Sequence, residues 1–576
     1  MYKYKAGLNH YKPIDTDSLI QNINTKEAKY LQHVLYENAI TLVQNNNDIL
    51  PLQNIDKLHL ASLSIGDTLS GTFSSMLSRY ARVDQYFLSK NYKKQEADSI
   101  LKALGKYEYV IVALLSTNNL PAGNFGIIHK SLDFIDTLQK QNNIILNVFA
   151  NPYTLSLFKN IECIDALILS YQNNIYAEEL SAQLIFGGIA SKGKLPVTVT
   201  PELPLNTGIQ TDSAIRLKYT LPRELNISEN DISKIDSIAL NGIKNKAYPG
   251  CVVLVAKDGK VFYNKAFGYH TYDKKLPLLT TDIFDVASIT KIEATTMAIM
   301  KLYDEGKIIL NKNLEFYLPY LNGTNKGHIV IKDVLAHQAK LKAWIPFYLE
   351  TIKKGIPDPK LYSKVKSKKF PFRVADSLYV RKDYPDTIMK KIIESPLNKK
   401  KEYLYSDLGF YLLMKIVEKV SGQDFYSYLY ENFYKPLGMA NTGFRPRERF
   451  KLSRIIPTEI DYAWRKQLVI GDVNDQGAAL LGGISGHAGL FSNAYDMAAL
   501  MQMLLQKGEY ANKRYFKAST VDEFTKCQFP SNKNRRGLGF DKPTLDSKEA
   551  GPCCKSASAL SYGHSGDTGT YCWVDP

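Results

Sequence analysis

Between Leu58 and about Thr200, short and nearly continuous apolar runs alternate with stretches whose apolar positions recur at helical spacing. Leu58–Ile65, Tyr109–Leu115, Ile144–Ala150 and Ala166–Ser170 lack the in-and-out alternation of a half-solvated strand, so they read as strands buried on both faces. Gln95–Leu104 and Lys130–Gln141 lie between them and carry the period of amphipathic helices. Buried strands separated by helices predict an α/β sandwich over residues 1–200, three layers with a mostly parallel sheet in the middle. After Thr200 the pattern gives way to polar text broken by Pro201, Pro204, Gly208 and Pro222, which predicts a linker over 201–227.

A different pattern follows. Ser228 stands before an amphipathic run and predicts the N-cap of a helix over 229–244. Gly250 to Asn264 reads as a β-hairpin, with Asp258-Gly259 as its two-residue turn. Long helical stretches come next, among them Thr290–Glu305, closed by Gly306, and Leu408–Ser421, closed by Gly422. Strand-like text returns at Tyr562–Val574. Strands at both ends with helices between them predict an α+β domain over 228–576, its antiparallel sheet gathered from distant parts of the chain.

Composition narrows the function classes. With 576 residues, 45% apolar and 23% charged, the chain is neither disordered, coiled-coil nor fibrous, and it is long enough for several cores. The net charge of +16 sits almost wholly after Leu225: residues 1–225 carry 21 basic and 20 acidic side chains, leaving 52 against 37 beyond. No basic stripe is interleaved with aromatics, so the excess reads as solvated lysines and no nucleic-acid partner is predicted. Six scattered cysteines and nine histidines without an HExxH motif give no disulfide framework and no zinc cage; no metal and no cofactor are predicted. The vicinal Cys553-Cys554 pair reads as incidental loop thiols. No apolar run approaches the 18 or so residues of a membrane span, and nothing at the N-terminus reads as an export signal. Oligomeric state is not legible.

The chemistry resides in the second region. Ser288-Ile-Thr-Lys291 places a hydroxyl and an amine three residues apart where a loop enters a helix, on one face and near a terminus that favours developing negative charge. That arrangement suits an activated serine nucleophile. The spacing alone is weak, since it recurs at Ser156/Lys159, Ser191/Lys194 and Ser363/Lys366. Its company strengthens it: Tyr405-Ser-Asp407 lies 117 residues downstream, and His564-Ser-Gly566 a further 159.

Together with Phe284-Asp-Val-Ala-Ser-Ile-Thr-Lys, Val334-Leu-Ala-His-Gln, Gly483-Ile-Ser-Gly-His-Ala-Gly-Leu-Phe, Gly537-Leu-Gly-Phe and Tyr562-Gly-His-Ser-Gly-Asp-Thr-Gly-Thr, this order resembles the serine β-lactamase and penicillin-binding superfamily. The likeness is nearest to class C enzymes, D-Ala-D-Ala carboxypeptidases and related esterases. The resemblance implies that Ser288 is the acyl-forming nucleophile, that Lys291 and Tyr405 share its proton, and that the N–H groups of Ser288 and Asp567 form the oxyanion hole. It also implies that His564 and Gly566 line the strand edge beside the substrate. One residue departs from the pattern: Asp407 stands where the family has Asn. A carboxylate there would hold Lys291 as an ammonium and leave more of the proton transfer to Tyr405. Being able only to accept, it is also a poor partner for a substrate amide carbonyl. These features favour ester or peptide acyl transfer, on a small-molecule or peptidoglycan-derived substrate, over efficient β-lactam hydrolysis. A non-catalytic wall-binding or sensing module remains the alternative.

The first region has its own likeness. Lys5-Ala-Gly-Leu, Tyr36-Glu-Asn-Ala-Ile-Thr-Leu-Val-Gln-Asn, Leu50-Pro-Leu and Phe186-Gly-Gly-Ile-Ala-Ser-Lys-Gly-Lys-Leu-Pro-Val-Thr resemble the α/β sandwich that follows the catalytic barrel in glycoside hydrolase family 3, in its bacterial β-N-acetylglucosaminidase branch. The resemblance implies that glycosidase activity would belong to a preceding barrel, that the chain is the later part of a longer exported, peptidoglycan-linked protein, and that the second fold continues past Pro576 with a strand and a helix.

Overall fold

The computed structural model describes residues 16–66, 71–212, 214–546 and 548–576; the Lys5-Ala-Gly-Leu phrase lies outside them. In the first region six strands form one sheet: β1 (Thr41–Asn45), β2 (Leu60–Ile65), β3 (Val83–Leu88), β4 (Tyr109–Leu114), β5 (Asn143–Val148) and β6 (Ala166–Leu169). Their order is β1-β6-β5-β4-β2-β3, parallel throughout except for antiparallel β1 at one edge. Successive β4 residues feed opposite layers. Val110, Val112 and Leu114 join one core, Ile111 and Ala113 the other, so the sheet is covered on both faces as its unbroken apolar text requires.

The stretch 201–227 is not a free tether. Leu217 and Tyr219 are buried, and Lys218–Tyr219 forms a short strand, β7, parallel to the start of β9 (Lys260–Gly268). Two ligatures fasten the seam. The Tyr80 hydroxyl donates to Leu217 O at 2.8 Å. The Lys218 ammonium bridges Glu37 of the sandwich and Glu224, at 2.7 and 2.8 Å, and Lys260 reaches Glu224 at 2.7 Å. One apolar core runs from the sandwich into the second region without a break.

There, the Ser228 hydroxyl caps the helix Glu229–Lys244 by accepting from the Asp231 N–H. β8 (Gly250–Lys257) pairs antiparallel with β9 through a turn in which Asp258 and Gly259 both have positive φ, the primed geometry that suits strand twist. The antiparallel sheet is not continuous, a correction to the sequence expectation. Among the described residues the β7-β9-β8 ladder and the final hairpin, Tyr562–Ser565 with Tyr571–Val574, are separate. Helix Ala494–Leu505 packs on both and links them through side chains rather than through hydrogen-bonded strands. The helix expected over Thr290–Glu305 is also subdivided. A 3₁₀ turn at Ala287–Ile289 leads into a widened π turn at Lys291–Thr296, and only Met297–Asp304 is α-helical.

Candidate functional site

Ser288 sits on the 3₁₀ turn and is half-buried, so its hydroxyl reaches the surface. The preceding residue, Ala287, has a φ of 45°, a left-handed conformation costly for a residue with a Cβ. It is held there by its N–H donating to the buried Asp285 carboxylate at 2.9 Å. The other Asp285 oxygen accepts from the Asn474 N–H at 2.7 Å, and burial pushes this carboxyl up to about 6.

The π turn carries Lys291 wholly out of solvent. Its ammonium donates to Ser288 Oγ at 2.9 Å and His487 O at 3.2 Å and pairs with Asp407 Oδ1 at 2.7 Å. The Tyr405 ring lies 4.9 Å from the same nitrogen. Burial alone would lower the lysine's pKa. The Asp407 carboxylate and Tyr405 outweigh burial and hold it above its ordinary value, so Lys291 rests as an ammonium that donates to the serine.

Two histidines frame Tyr405. His337 stacks on it at 4.5 Å and accepts the Ser406 N–H through Nδ1 at 3.1 Å. His564 lies 5.9 Å from the tyrosine ring. Burial, with Arg536 and Lys291 nearby, pushes both imidazoles well below their usual range, so both are neutral. His564 is 3% exposed. Its Nδ1 donates to Ser565 O at 2.7 Å and its Nε2 accepts from Arg536 at 3.0 Å, which leaves it as a support behind Tyr405 rather than a free group facing the cleft.

The final hairpin closes over the nucleophile. Thr568 donates to Asp285 O at 2.7 Å and Thr570 to Val286 O at 3.1 Å. A Cβ on Gly566 would stand 2.2 Å from Thr570 Oγ1 and 2.5 Å from Val286 O, so only glycine lets the strand approach this closely. Among the described residues the Asp567 N–H has no backbone acceptor outside regular elements.

The structure thus gathers Ser288, Lys291, Tyr405 and Asp407 at one point, with Gly566 and Asp567 on the adjoining hairpin and His564 behind. Sequence reasoning did not single out His337, Arg536 or Asp475. Arg536 is buried, salt-bridged to Asp541 at 3.2 Å, and lies 5.6 Å from the Tyr405 ring. Asp475 fixes His487, whose Nε2 it meets at 2.8 Å while Ser485 meets Nδ1 at 2.8 Å. Against the cost of burial, His487 holds the Asp475 carboxyl down to about 2. The one available signal was the pair of histidine-bearing phrases, Val334-Leu-Ala-His-Gln and Gly486-His-Ala-Gly; the acidic and basic partners lie far away in the chain.

Residues 235–576 match the family model described as beta-lactamase. A Bacillus subtilis (strain 168) protein named "N-acetylmuramyl-L-alanine amidase" is 32% identical over 66% of this chain and 86% of its own length. An Escherichia coli (strain K12) protein named "Putative D-alanyl-D-alanine carboxypeptidase" is 33% identical over 57% of this chain and 76% of its own. Among solved structures, the octameric penicillin-binding protein homologue from Pyrococcus abyssi covers 60% of this chain and 71% of that one at 22% identity, with a TM-score of 0.44.

Proposed function

The chain belongs to the beta-lactamase family and is a serine hydrolase, and from that premise we propose that it cleaves amides or esters derived from peptidoglycan through an acyl-enzyme on Ser288. The observation that carries the roles is the unbroken line from a half-exposed hydroxyl to a buried ammonium to a carboxylate, at 2.9 and 2.7 Å. In acylation Tyr405, acting as the phenolate, takes the Ser288 Oγ–H proton onto Oη as the Oγ–carbon bond forms. The carbonyl electron pair moves to an oxyanion held by the Ser288 and Asp567 N–H groups, each such donor being worth about 3–4 kcal/mol in hydrolases. Collapse breaks the carbon–nitrogen or carbon–oxygen bond, and Tyr405 returns the proton to the departing group. Water then repeats the sequence on the acyl-enzyme. Lys291, kept charged by Asp407, steadies Tyr405 and Ser288 electrostatically. The amidase and carboxypeptidase names of the relatives support a wall-peptide substrate. The test is chromatographic: incubation with a stem peptide ending in D-Ala-D-Ala and with a muramyl-L-alanine amide should release product, and Ser288→Ala should release none.

Lys291, held as an ammonium by Asp407, also favours a second reading, in which the site acylates but turns over poorly and acts as a sensor. An adduct that persists for hours would mark it. For the first region we propose the family 3 sandwich over 1–200, joined through 201–227 to the hydrolase over 228–576. The sheet covered on both faces supports that reading, and a first proteolytic cut within the mostly exposed residues 201–210 would test the boundary.

A further inference from the structure

At the seam between the sandwich and the hydrolase lies a cleft of about 1110 Å³, and Ser288, Lys291 and Tyr405 are not among its walls. The hydrolase wall carries Tyr426, Tyr430 and Phe450, with Arg449 and Arg454 beside them; the sandwich wall carries His59 and Arg82. The two guanidinium groups flank one ring, lying 4.9 and 5.4 Å from the Phe450 centroid. Their hydrogen bonds go only to neutral acceptors: Arg449 to Thr442 O at 3.1 Å, Arg454 to Asn441 Oδ1 at 3.0 Å and to Thr281 O. Among the described residues neither forms an ion pair, whereas Arg373, Arg447, Arg465, Arg535 and Arg536 of the same region each grip a carboxylate.

The acidic groups nearby are engaged elsewhere. Asp496 accepts from Asn441 N at 2.8 Å and Thr442 Oγ1 at 2.9 Å, Asp84 accepts from the Tyr107 hydroxyl at 2.7 Å and faces Arg82 at 4.0 Å, and Glu431 faces Lys435 at 3.9 Å. Asp56, which faces Lys513 at 4.0 Å and whose Oδ1 has no hydrogen-bond partner among the described residues, and Glu448, exposed on the wall, are the carboxylates left to oppose an incoming anion. Two guanidinium groups with free N–H edges match a carboxylate in plane and charge. The half-buried Tyr426, Tyr430 and Phe450 rings offer apolar faces, two of them tipped with hydroxyls, which suit a ring with one C–H face and polar edges. The volume exceeds that of most small-molecule sites, and domain seams are where such sites occur.

We propose that this seam cleft is a second binding site, separate from the serine centre, for a saccharide that bears a carboxylate. The proposal stands whether or not Ser288 turns over. It is tested on the full chain by calorimetry and ligand-observed NMR, with N-acetylmuramic acid and N-acetylglucosamine as probes, two sugars that differ by the lactyl carboxylate. The expected result is saturable binding of N-acetylmuramic acid, with N-acetylglucosamine about tenfold weaker, the loss that goes with one charge-assisted contact. Arg449→Gln, at an exposed residue with a single backbone contact, should weaken the acid about tenfold while leaving the melting temperature and the affinity for N-acetylglucosamine unchanged. Arg454→Gln should weaken it similarly. Blocking Ser288 with a fluorophosphonate should leave binding intact. No binding of the acid, equal affinity for the two sugars, indifference to Arg449→Gln, or loss of binding once Ser288 is blocked would each overturn the proposal.

Discussion

Replacing Asp407 by Asn removes one charge and keeps the shape. The carboxylate lies 2.7 Å from a fully buried ammonium and is itself only 18% exposed. At an effective dielectric near 20, two unit charges at that distance attract by roughly 6 kcal/mol. Much of that is offset by the cost of burying them, and an opposite charge in such contact shifts a pKa by about 1–3 units. Asn still accepts a hydrogen bond from the amine, so the geometry survives while the bias toward ammonium goes. Lys291 then titrates lower. The limb of the acylation profile that rises as the Lys291–Tyr405 unit sheds a proton moves to lower pH, and acylation at neutral pH quickens. Stability moves the other way. A lysine whose folded pKa is raised contributes stability that is fully present below its unfolded value and lost as pH rises through the folded one, so Asp407→Asn should cost about 2–3 kcal/mol across the neutral range. The assay is the rate of Ser288 acylation by a chromogenic ester from acid to alkaline pH, with melting temperature as the control. Superimposable profiles in a variant of lowered stability would refute the electrostatic role given to Asp407.

Three further perturbations follow from the same structure. Glu293 is fully buried, neither carboxylate oxygen has a hydrogen-bond partner among the described residues, and burial pushes it up to about 8; because the unfolded carboxyl ionises near 4.5, stability should fall as pH climbs from 4.5 to 8, and Glu293→Leu should flatten that slope and raise stability at pH 8 by about 3 kcal/mol, read by denaturant melts. Against the cost of burial, Lys218 and Lys260 hold Glu224 down to about 2, so its contribution is present above its unfolded value and lost as pH falls toward 2; Glu224→Gln should cost about 1–2 kcal/mol at pH 7 after allowance for solvent screening, and the two melting curves should converge at low pH. Gly566→Ala should cost about 1–3 kcal/mol through forced displacement of Thr570 and the Val286 carbonyl, with a larger loss of acylation rate than of melting temperature.

What the sequence revealed depended on whether the information was local. β2, β4, β5 and β6 were legible because a strand buried on both faces is mostly apolar and lacks in-and-out alternation of charge. β3, carrying Asp84 and Gln85 on an exposed edge, and β1, five residues long and antiparallel, gave no such signal. The caps at Ser228 and Gly422 and the Asp258-Gly259 turn were legible for the same reason, since each is a contact within a few residues. The proline-rich stretch 201–227 read as a tether because its text is polar, yet Leu217 and Tyr219 are buried by partners as distant as Tyr80 and Tyr510. In the site, the proximity of Ser288 and Lys291 followed from helical spacing, and that of Asp407 to Lys291 from family likeness. The widening of the helix at Lys291–Thr296 and the support of Tyr405 by His337, His564 and Arg536 come from tertiary packing that no local pattern encodes. His564 shows the limit most clearly: likeness placed it at the pocket's edge, and only Arg536, 28 residues before it, shows that both its nitrogens are occupied.

The central claim is that Ser288 is the nucleophile of this centre, and covalent labelling addresses it most directly. Intact-mass measurement and peptide mapping after exposure to a fluorophosphonate should show one adduct, on the peptide containing Ser288, absent from Ser288→Ala and slowed in Tyr405→Phe. A chain that stays unlabelled while folded, or that carries the same adduct after Ser288→Ala, would contradict the account.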